Sequence, residues 1–155
     1  MNALARHALV PLALALFAGA AASQGDPHRI VQPDQIKWAD VSSLPPGAKI
    51  AVLEGPMNEA KPFTVRLRFP ASYRIPPHIH PAVERVTVLS GTFHLGMGEK
   101  FDAAAAQAMP AGAIAIMPAG MTHYAWTNEE TVVQLHGTGP WGITYVREAD
   151  DPRKQ

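Results

Sequence analysis

Apolar and polar residues alternate along several short stretches of the chain, and this alternation predicts β-strands. The clearest case is residues 63–69, in which the odd positions are apolar and the even positions are polar. Such a strand turns one face to a core and the other to solvent. The chain also contains 15 prolines and 12 glycines, which suit many short strands joined by turns. Together these patterns predict an all-β domain.

A further predicted strand, within residues 77–91, carries candidate metal ligands. His78, His80 and Glu84 all stand at even positions. Residues an even number apart share one face of a strand, so these three side chains are expected to project to the same side. The same row continues with valines, and the strand ends at a glycine turn. Two imidazoles and one carboxylate therefore meet on one face.

A second segment, residues 112–123, adds a third imidazole. It consists of a short apolar stretch, a Pro-x-Gly turn and the start of a new strand at His123. Three imidazoles and one carboxylate form a ligand set suited to one divalent transition metal. Such a set does not select its ion, because Fe, Mn, Ni, Cu, Co and Zn all accept nitrogen and oxygen donors.

These two segments resemble the two metal-binding motifs of the cupin superfamily. The first has the spacing H-x-H, three residues, E, six residues, G, and the second has G, five residues, P-x-G, two residues, H. The resemblance implies a small β-barrel in which one metal ion is held by four side chains. By position in the motifs these ligands are His78, His80, Glu84 and His123.

The resemblance also implies the architecture, a double-stranded β-helix or jelly-roll cupin barrel over residues 36–150. Between the two motifs, Asp102 and the alanines after it predict one short helix that ends before Pro110. One departure concerns the second motif, which usually ends with Asn. Thr127 holds that place and Asn128 follows, so the departure bears on a turn and not on the metal ligands.

The first residues are predicted to be a secretory signal peptide, residues 1–22. A basic residue and a short apolar run precede an Ala-x-Ala site that ends at Ala22, and the run is too short to span a bilayer. We expect an exported protein without a stable membrane anchor, periplasmic in a Gram-negative source and otherwise secreted. Residues 23–35 would then form an N-terminal arm, and residues 151–155 a frayed polar tail.

Charge and cysteine content narrow the classes of partner. The chain carries 13 basic and 13 acidic residues without a basic block, which argues against nucleic acid as a partner. It has no cysteine, so no disulfide stabilises the domain even in an oxidising compartment. A small molecule is therefore the expected ligand or substrate.

The orientation of the strand after the second motif stays open. Either Val133 and Leu135 line the barrel, or Gln134 and His136 do. In the second case His136 and Gln134, together with Arg66, would be substrate-pocket residues near the metal.

An open coordination position beside the ligands would make the site catalytic. We expect a metal-dependent enzyme acting on a small molecule, with dioxygenase chemistry preferred over lyase or isomerase chemistry; the sequence indicates no separate general base. One alternative is a non-catalytic binding or sensor module that captures a small carboxylate through its metal. Another is a structural barrel whose histidines only buffer metal. Because cupins often pair through sheet edges, the resemblance also implies a homodimer.

Overall fold

A computed structural model describes residues 28–155, so the predicted signal peptide and the first residues of the predicted arm lie outside the described residues. Within the described part the regular structure is almost entirely β. The strands are β1 (Ala39–Asp40), β2 (Lys49–Glu54), β3 (Pro62–Phe69), β4 (Arg74–Ile79), β5 (Glu84–Ser90), β6 (Thr92–Met97), β7 (Gln107–Pro110), β8 (Ile114–Met117), β9 (His123–Trp126), β10 (Thr131–Thr138) and β11 (Thr144–Tyr145). Three short 3-10 turns complete it, at Pro33–Gln35, Glu148–Asp150 and Pro152–Lys154.

The strands form two antiparallel sheets. One has six strands in the order β1-β2-β3-β10-β5-β8, and the other has five in the order β11-β4-β9-β6-β7. Chain neighbours such as β4 and β5 lie in different sheets, so the chain passes repeatedly from one sheet to the other. This arrangement confirms the predicted all-β class. No helix among the described residues is long and apolar enough to cross a membrane.

Alternating side chains of both sheets build one hydrophobic core. On β3 the odd-numbered residues are buried and the even-numbered ones are partly or fully exposed. This confirms the alternation predicted at residues 63–69. On β10 the residues Val133 and Leu135 are buried, while Gln134 and His136 are only half-buried. The apolar row of β10 therefore faces the core, and this resolves the orientation that the sequence left open.

The register of β4 depends on two consecutive prolines. Pro76 and Pro77 have no N–H group to donate to a neighbouring strand. The pairing of β4 with β9 shifts register in this stretch, between Ile75 and His78. After the shift His78 lies directly opposite His123 of β9. The irregularity thus determines which β4 side chain meets the first residue of β9.

The predicted short helix after Asp102 is wrong. The carboxylate of Asp102 does accept a hydrogen bond from the backbone N–H of Ala104, at 2.9 Å, but residues 103–106 form a turn. A run of four alanines is too short to offset the entropic cost of helix nucleation. The next residues instead pair with β6 as strand β7, beginning with Gln107 opposite Leu95.

The C-terminal segment is packed and not frayed. Asp151 is buried, and its carboxylate accepts bonds from the Arg153 guanidinium at 2.7 Å. The same guanidinium donates to the carbonyl oxygen of Ile143 at 3.0 Å. Residues 151–155 are predicted to be a frayed tail because they are polar, whereas the bond to Ile143 ties Arg153 to the loop before β11 and the two bonds to Asp151 lie within the segment.

One close approach between β6 and β9 requires a glycine. Gly96 lies opposite Tyr124, whose ring is fully buried and whose hydroxyl donates to the carbonyl oxygen of Asp102 at 2.7 Å. A Cβ atom added at Gly96 would overlap the Tyr124 ring. The tyrosine cannot swing away without losing its hydrogen bond, so the contact allows no larger residue at position 96.

We predict that Gly96→Ala lowers the free energy of unfolding by about 1–3 kcal/mol, because the added methyl group overpacks the core against Tyr124. Urea unfolding followed by fluorescence measures the change. Gly142→Ala is the matched control: its Cβ meets no atom within 4 Å, and we expect a change within about 0.5 kcal/mol. Equal stability of the two variants would contradict the overpacking explanation.

Candidate metal centre

Four buried polar side chains from three strands converge inside the molecule. His78 lies at the end of β4 and His80 just after it, Glu84 begins β5, and His123 begins β9. All four are buried, with exposed fractions of 3%, 7%, 6% and 3% respectively. One ligand nitrogen from each of the three histidines lies within 4.8 Å of the others. The three imidazoles could therefore hold one metal ion.

Each of these imidazoles is oriented by a backbone carbonyl. Nδ1 of His78 lies 2.7 Å from the carbonyl oxygen of Pro76. Nδ1 of His80 lies 2.6 Å from that of Gly142, and Nδ1 of His123 lies 3.0 Å from that of Met121. A carbonyl oxygen only accepts, so each Nδ1 must carry the proton. In the neutral ring the lone pair is then on Nε2, as in metal-ligating histidines.

Glu84 lies beside these nitrogens without a donor of its own. Its Oε2 is 3.1 Å from Nε2 of His123 and 3.5 Å from Nε2 of His80. Among the described residues no group donates a hydrogen bond to this buried oxygen. A buried carboxylate oxygen facing unprotonated ring nitrogens is costly unless a cation lies among them. The residues therefore fit a divalent metal with nitrogen and oxygen ligands.

Burial favours the neutral form of two of the imidazoles, those of His78 and His80. It lowers the pKa of His78 well below its usual value, and the neighbouring rings of His123 and His80 lower it further. Burial also lowers the pKa of His80, although the carboxylate of Glu84 acts in the opposite direction. A metal ligand must be unprotonated, so the protein environment has already met this requirement for both residues.

Residues 141–142 form part of the site, which the sequence did not predict. The indole of Trp141 stacks on the ring of His80, with centroids 4.2 Å apart and planes at 13°. The next residue, Gly142, provides the carbonyl oxygen that orients the same imidazole. Nothing in the linear pattern of the sequence links this stretch to His80.

Thr127 performs a turn function at the position where the cupin motif usually has Asn. Its hydroxyl donates to the carbonyl oxygen of Pro70 at 2.8 Å, and its N–H donates to that of Tyr73 at 3.0 Å. Thr127 is almost fully buried. The departure from the motif thus leaves the end of β9 anchored and does not disturb the histidine at its start.

The four side chains border a largely apolar cavity of about 270 Å³ in the barrel interior. Most of its walls are core residues of both sheets, which include Val65, Leu67, Phe69, Ile75, Val86, Phe93, Leu95, Val133 and Leu135. Among the described lining residues, Arg153 is the one lysine or arginine. Sequence reasoning missed Arg153, because a polar C-terminus carries no signal of where it packs.

The three other pocket residues expected from the sequence lie elsewhere. Gln134, His136 and Arg66 are not among the residues that line the cavity. Gln134 and Arg66 are cross-strand partners on β10 and β3, and Nε of Arg66 donates to Oε1 of Gln134 at 3.1 Å. Of the two alternatives that the sequence left open, the first applies: Val133 and Leu135 occupy the inner face, and Gln134, His136 and Arg66 belong to the opposite face.

Comparison with known proteins identifies the kind of domain. Residues 26–142 match a family model described as the ChrR cupin-like domain. Among curated proteins none matches the chain significantly.

Three solved structures illustrate the shared fold. The polyketide cyclase RemF from Streptomyces resistomycificus has a TM-score of 0.67 at 15% identity, covering 83% of this chain and 92% of its own. A candidate acetylacetone dioxygenase from Methylibium petroleiphilum has a TM-score of 0.61 at 18% identity, covering 81% and 85%. A protein from Klebsiella pneumoniae with a double-stranded β-helix domain has a TM-score of 0.57 at 20% identity, covering 79% and 100%. The fold is therefore the double-stranded β-helix that the sequence predicted.

We predict that the purified protein binds about one divalent transition-metal ion per chain, and that His78→Ala and His123→Ala each abolish this binding. Glu84→Gln should weaken affinity by roughly tenfold or more, because it removes the negative charge beside the ion. Elemental analysis after dialysis and competition with a chelator dye measure stoichiometry and affinity.

The matched control is His136→Gln, which removes a histidine from the opposite face and should leave metal binding unchanged. Metal should also raise the melting temperature of the wild-type protein but not of His123→Ala, since ligands of the folded state stabilise it. Full metal content in His123→Ala would contradict the site.

Proposed function

The chain belongs to the ChrR cupin-like family, and from this membership and the geometry of the site we propose that it is an exported, metal-dependent enzyme acting on a small molecule, with dioxygenase-like chemistry. His78, His80, Glu84 and His123 are the proposed metal ligands. The ion would be one of Fe, Mn, Ni, Cu, Co or Zn, since the donor set accepts all of them.

One observation carries the proposal. One nitrogen from each of three imidazoles lies within 4.8 Å of the others, and Oε2 of Glu84, which has no donor among the described residues, lies 3.1 Å and 3.5 Å from two of the rings at the wall of a cavity. A purely structural metal site is closed on all sides by protein ligands, whereas this one borders space that a small molecule can occupy. A metal ion held there would act as a Lewis acid toward an oxygen atom of the bound molecule.

The walls of the cavity limit the chemistry that side chains can perform. Apart from the proposed ligands and Arg153, no titratable side chain among the described residues lines it. Lyase and isomerase reactions usually need a positioned side chain to remove or deliver a proton. The absence of a free acid or base within the described lining therefore favours oxygen chemistry, and a structural neighbour is a candidate acetylacetone dioxygenase.

The protein's own residues would bind and orient the substrate. Apolar side chains of both sheets would exclude water from its body, and Trp141 would hold the ring of His80 in place. Gly142 would keep the proton of His80 on Nδ1 throughout, so that this imidazole does not exchange protons with the substrate.

The second candidate is a non-catalytic module that binds a small carboxylate. The same lack of a free acid or base in the described lining favours it, because such a site can hold a ligand without transforming it. It predicts affinity for a ligand without turnover.

Two further parts of the proposal concern location and assembly. Export rests on residues 1–22, which have the composition of a secretory signal peptide. A homodimer is proposed through the edge of the six-stranded sheet. There β8 exposes Ile114 and Ile116, at 54% and 62%, and an apolar edge strand favours pairing with another chain.

We predict that protein purified without an affinity-resin metal and loaded with Fe(II), Mn(II), Ni(II) or Cu(II) consumes oxygen in the presence of a small diketone or phenol. An oxygen electrode with acetylacetone and substituted catechols as probes, combined with product analysis, measures this. In a dioxygenase reaction one O₂ disappears per molecule of substrate, because both oxygen atoms enter the product.

Two variants serve as controls, one expected to lose the activity and one expected to keep it. His123→Ala should show no oxygen consumption, whereas Gln134→Ala, on the opposite face, should keep the wild-type rate. Saturable ligand binding without oxygen uptake for every ion would contradict the enzyme and favour the binding module.

A further inference from the structure

Arg153 places a charged hydrogen-bond donor at the wall of a cavity that is mainly apolar apart from the metal centre. It comes from the C-terminal 3-10 turn Pro152–Lys154, and its side chain is 42% exposed. The cavity that it borders also contains the metal centre. The position of this guanidinium beside the apolar walls of the cavity calls for an explanation. An arginine at the surface can be solvated by water without bordering the barrel interior.

The guanidinium is rigidly held and only partly used. Its Nε donates to Oδ1 of Asp151 at 2.7 Å, and its Nη2 donates to Oδ2 of Asp151 at 2.7 Å and to the carbonyl oxygen of Ile143 at 3.0 Å. A guanidinium has five N–H groups, so these bonds leave the two on Nη1. Within residues 28–155 no acceptor is bonded to Nη1. Two donors therefore remain available in a fixed orientation.

Arg153 is connected to the metal centre through one short backbone segment. The carbonyl oxygen of Gly142 orients the imidazole of His80, and the carbonyl oxygen of the next residue, Ile143, accepts from Arg153. Consecutive Cα atoms are about 3.8 Å apart. The arginine and a proposed metal ligand are thus held by neighbouring peptide groups at the wall of the same cavity.

The charge of the cavity indicates which molecule would fit. The bidentate ion pair of Arg153 with Asp151 is neutral overall, and the hydrogen bond from Arg153 holds the pKa of Asp151 below its usual value. A divalent ion with the one carboxylate of Glu84 would leave a charge of about +1. The remaining walls are mainly apolar. A small molecule with an apolar body and a single negative charge matches this balance.

We propose that the cavity binds a small, largely apolar monocarboxylate and that Arg153 selects it by donating hydrogen bonds from Nη1 to the carboxylate. This deepens the proposed function, on which it rests for the use of the cavity as the substrate site.

A purely structural role for Arg153 makes a different prediction. If the only function of Arg153 were to tie the C-terminal turn to Ile143, then Arg153→Met and Asp151→Asn, which both loosen the turn, should change ligand affinity equally. Asp151→Asn removes the charge of the ion pair but leaves the arginine in place, whereas Arg153→Met removes the donors and keeps the aliphatic stem. Comparing the two variants therefore separates a role of Arg153 in ligand recognition from a role in stabilising the C-terminal turn.

The test is calorimetric titration of metal-loaded protein with octanoate and phenylacetate, each compared with its neutral amide, octanamide and phenylacetamide. We expect wild-type protein to prefer each carboxylate over its amide by about tenfold or more, since charge-assisted hydrogen bonds are the stronger kind. Arg153→Met should lose most of this preference and retain only the part that the ion supplies, Arg153→Lys should restore part of it, and Asp151→Asn should keep it.

Metal content is measured in every variant and should remain near one ion per chain, so that a loss of the metal centre is distinguished from a loss of carboxylate recognition. The proposal is overturned if Arg153→Met keeps the preference, if Asp151→Asn loses it equally, or if no carboxylate binds the wild-type protein. Absence of oxygen consumption with every probe would remove the dioxygenase and leave this binding difference untouched.

Discussion

The structure depends on three hydrogen bonds from imidazole Nδ1 atoms to backbone carbonyls. They orient the three rings, and one nitrogen from each of His78, His80 and His123 lies within 4.8 Å of the others. Glu84 adds a buried oxygen without a donor at the same place. Such an arrangement is costly without a cation, and it becomes favourable when one is bound.

The rest of the fold brings these groups together. The three ligand strands come from both sheets, since β4 and β9 are neighbours in one and β5 lies in the other. The register shift at the prolines places His78 opposite His123. The loop residues Trp141 and Gly142 then hold the third imidazole, that of His80, from the side. Strand register therefore positions the rings of His78 and His123, and contacts with a loop position the ring of His80.

The sequence named the converging residues through the spacing of the two motifs and failed where long-range packing decides. Strand parity predicted His78, His80 and Glu84 on one face of one strand, but the structure has His78 on β4, His80 just after it and Glu84 at the start of β5 in the other sheet. Parity could not say which face of β10 is inward, because that depends on the core volume filled by Val133 and Leu135. The packing of the C-terminal turn was invisible for the same reason: its bonds join residues whose proximity arises only in the folded chain.

The central claim is that three imidazoles and one carboxylate coordinate a single metal ion. X-ray absorption spectroscopy of the metal-loaded protein tests it most directly, because the spectrum reports the type, number and distance of the ligand atoms. The account predicts three imidazole nitrogens and at least one oxygen at about 2.0–2.2 Å. Two or fewer imidazoles, or sulfur at about 2.3 Å, would contradict it.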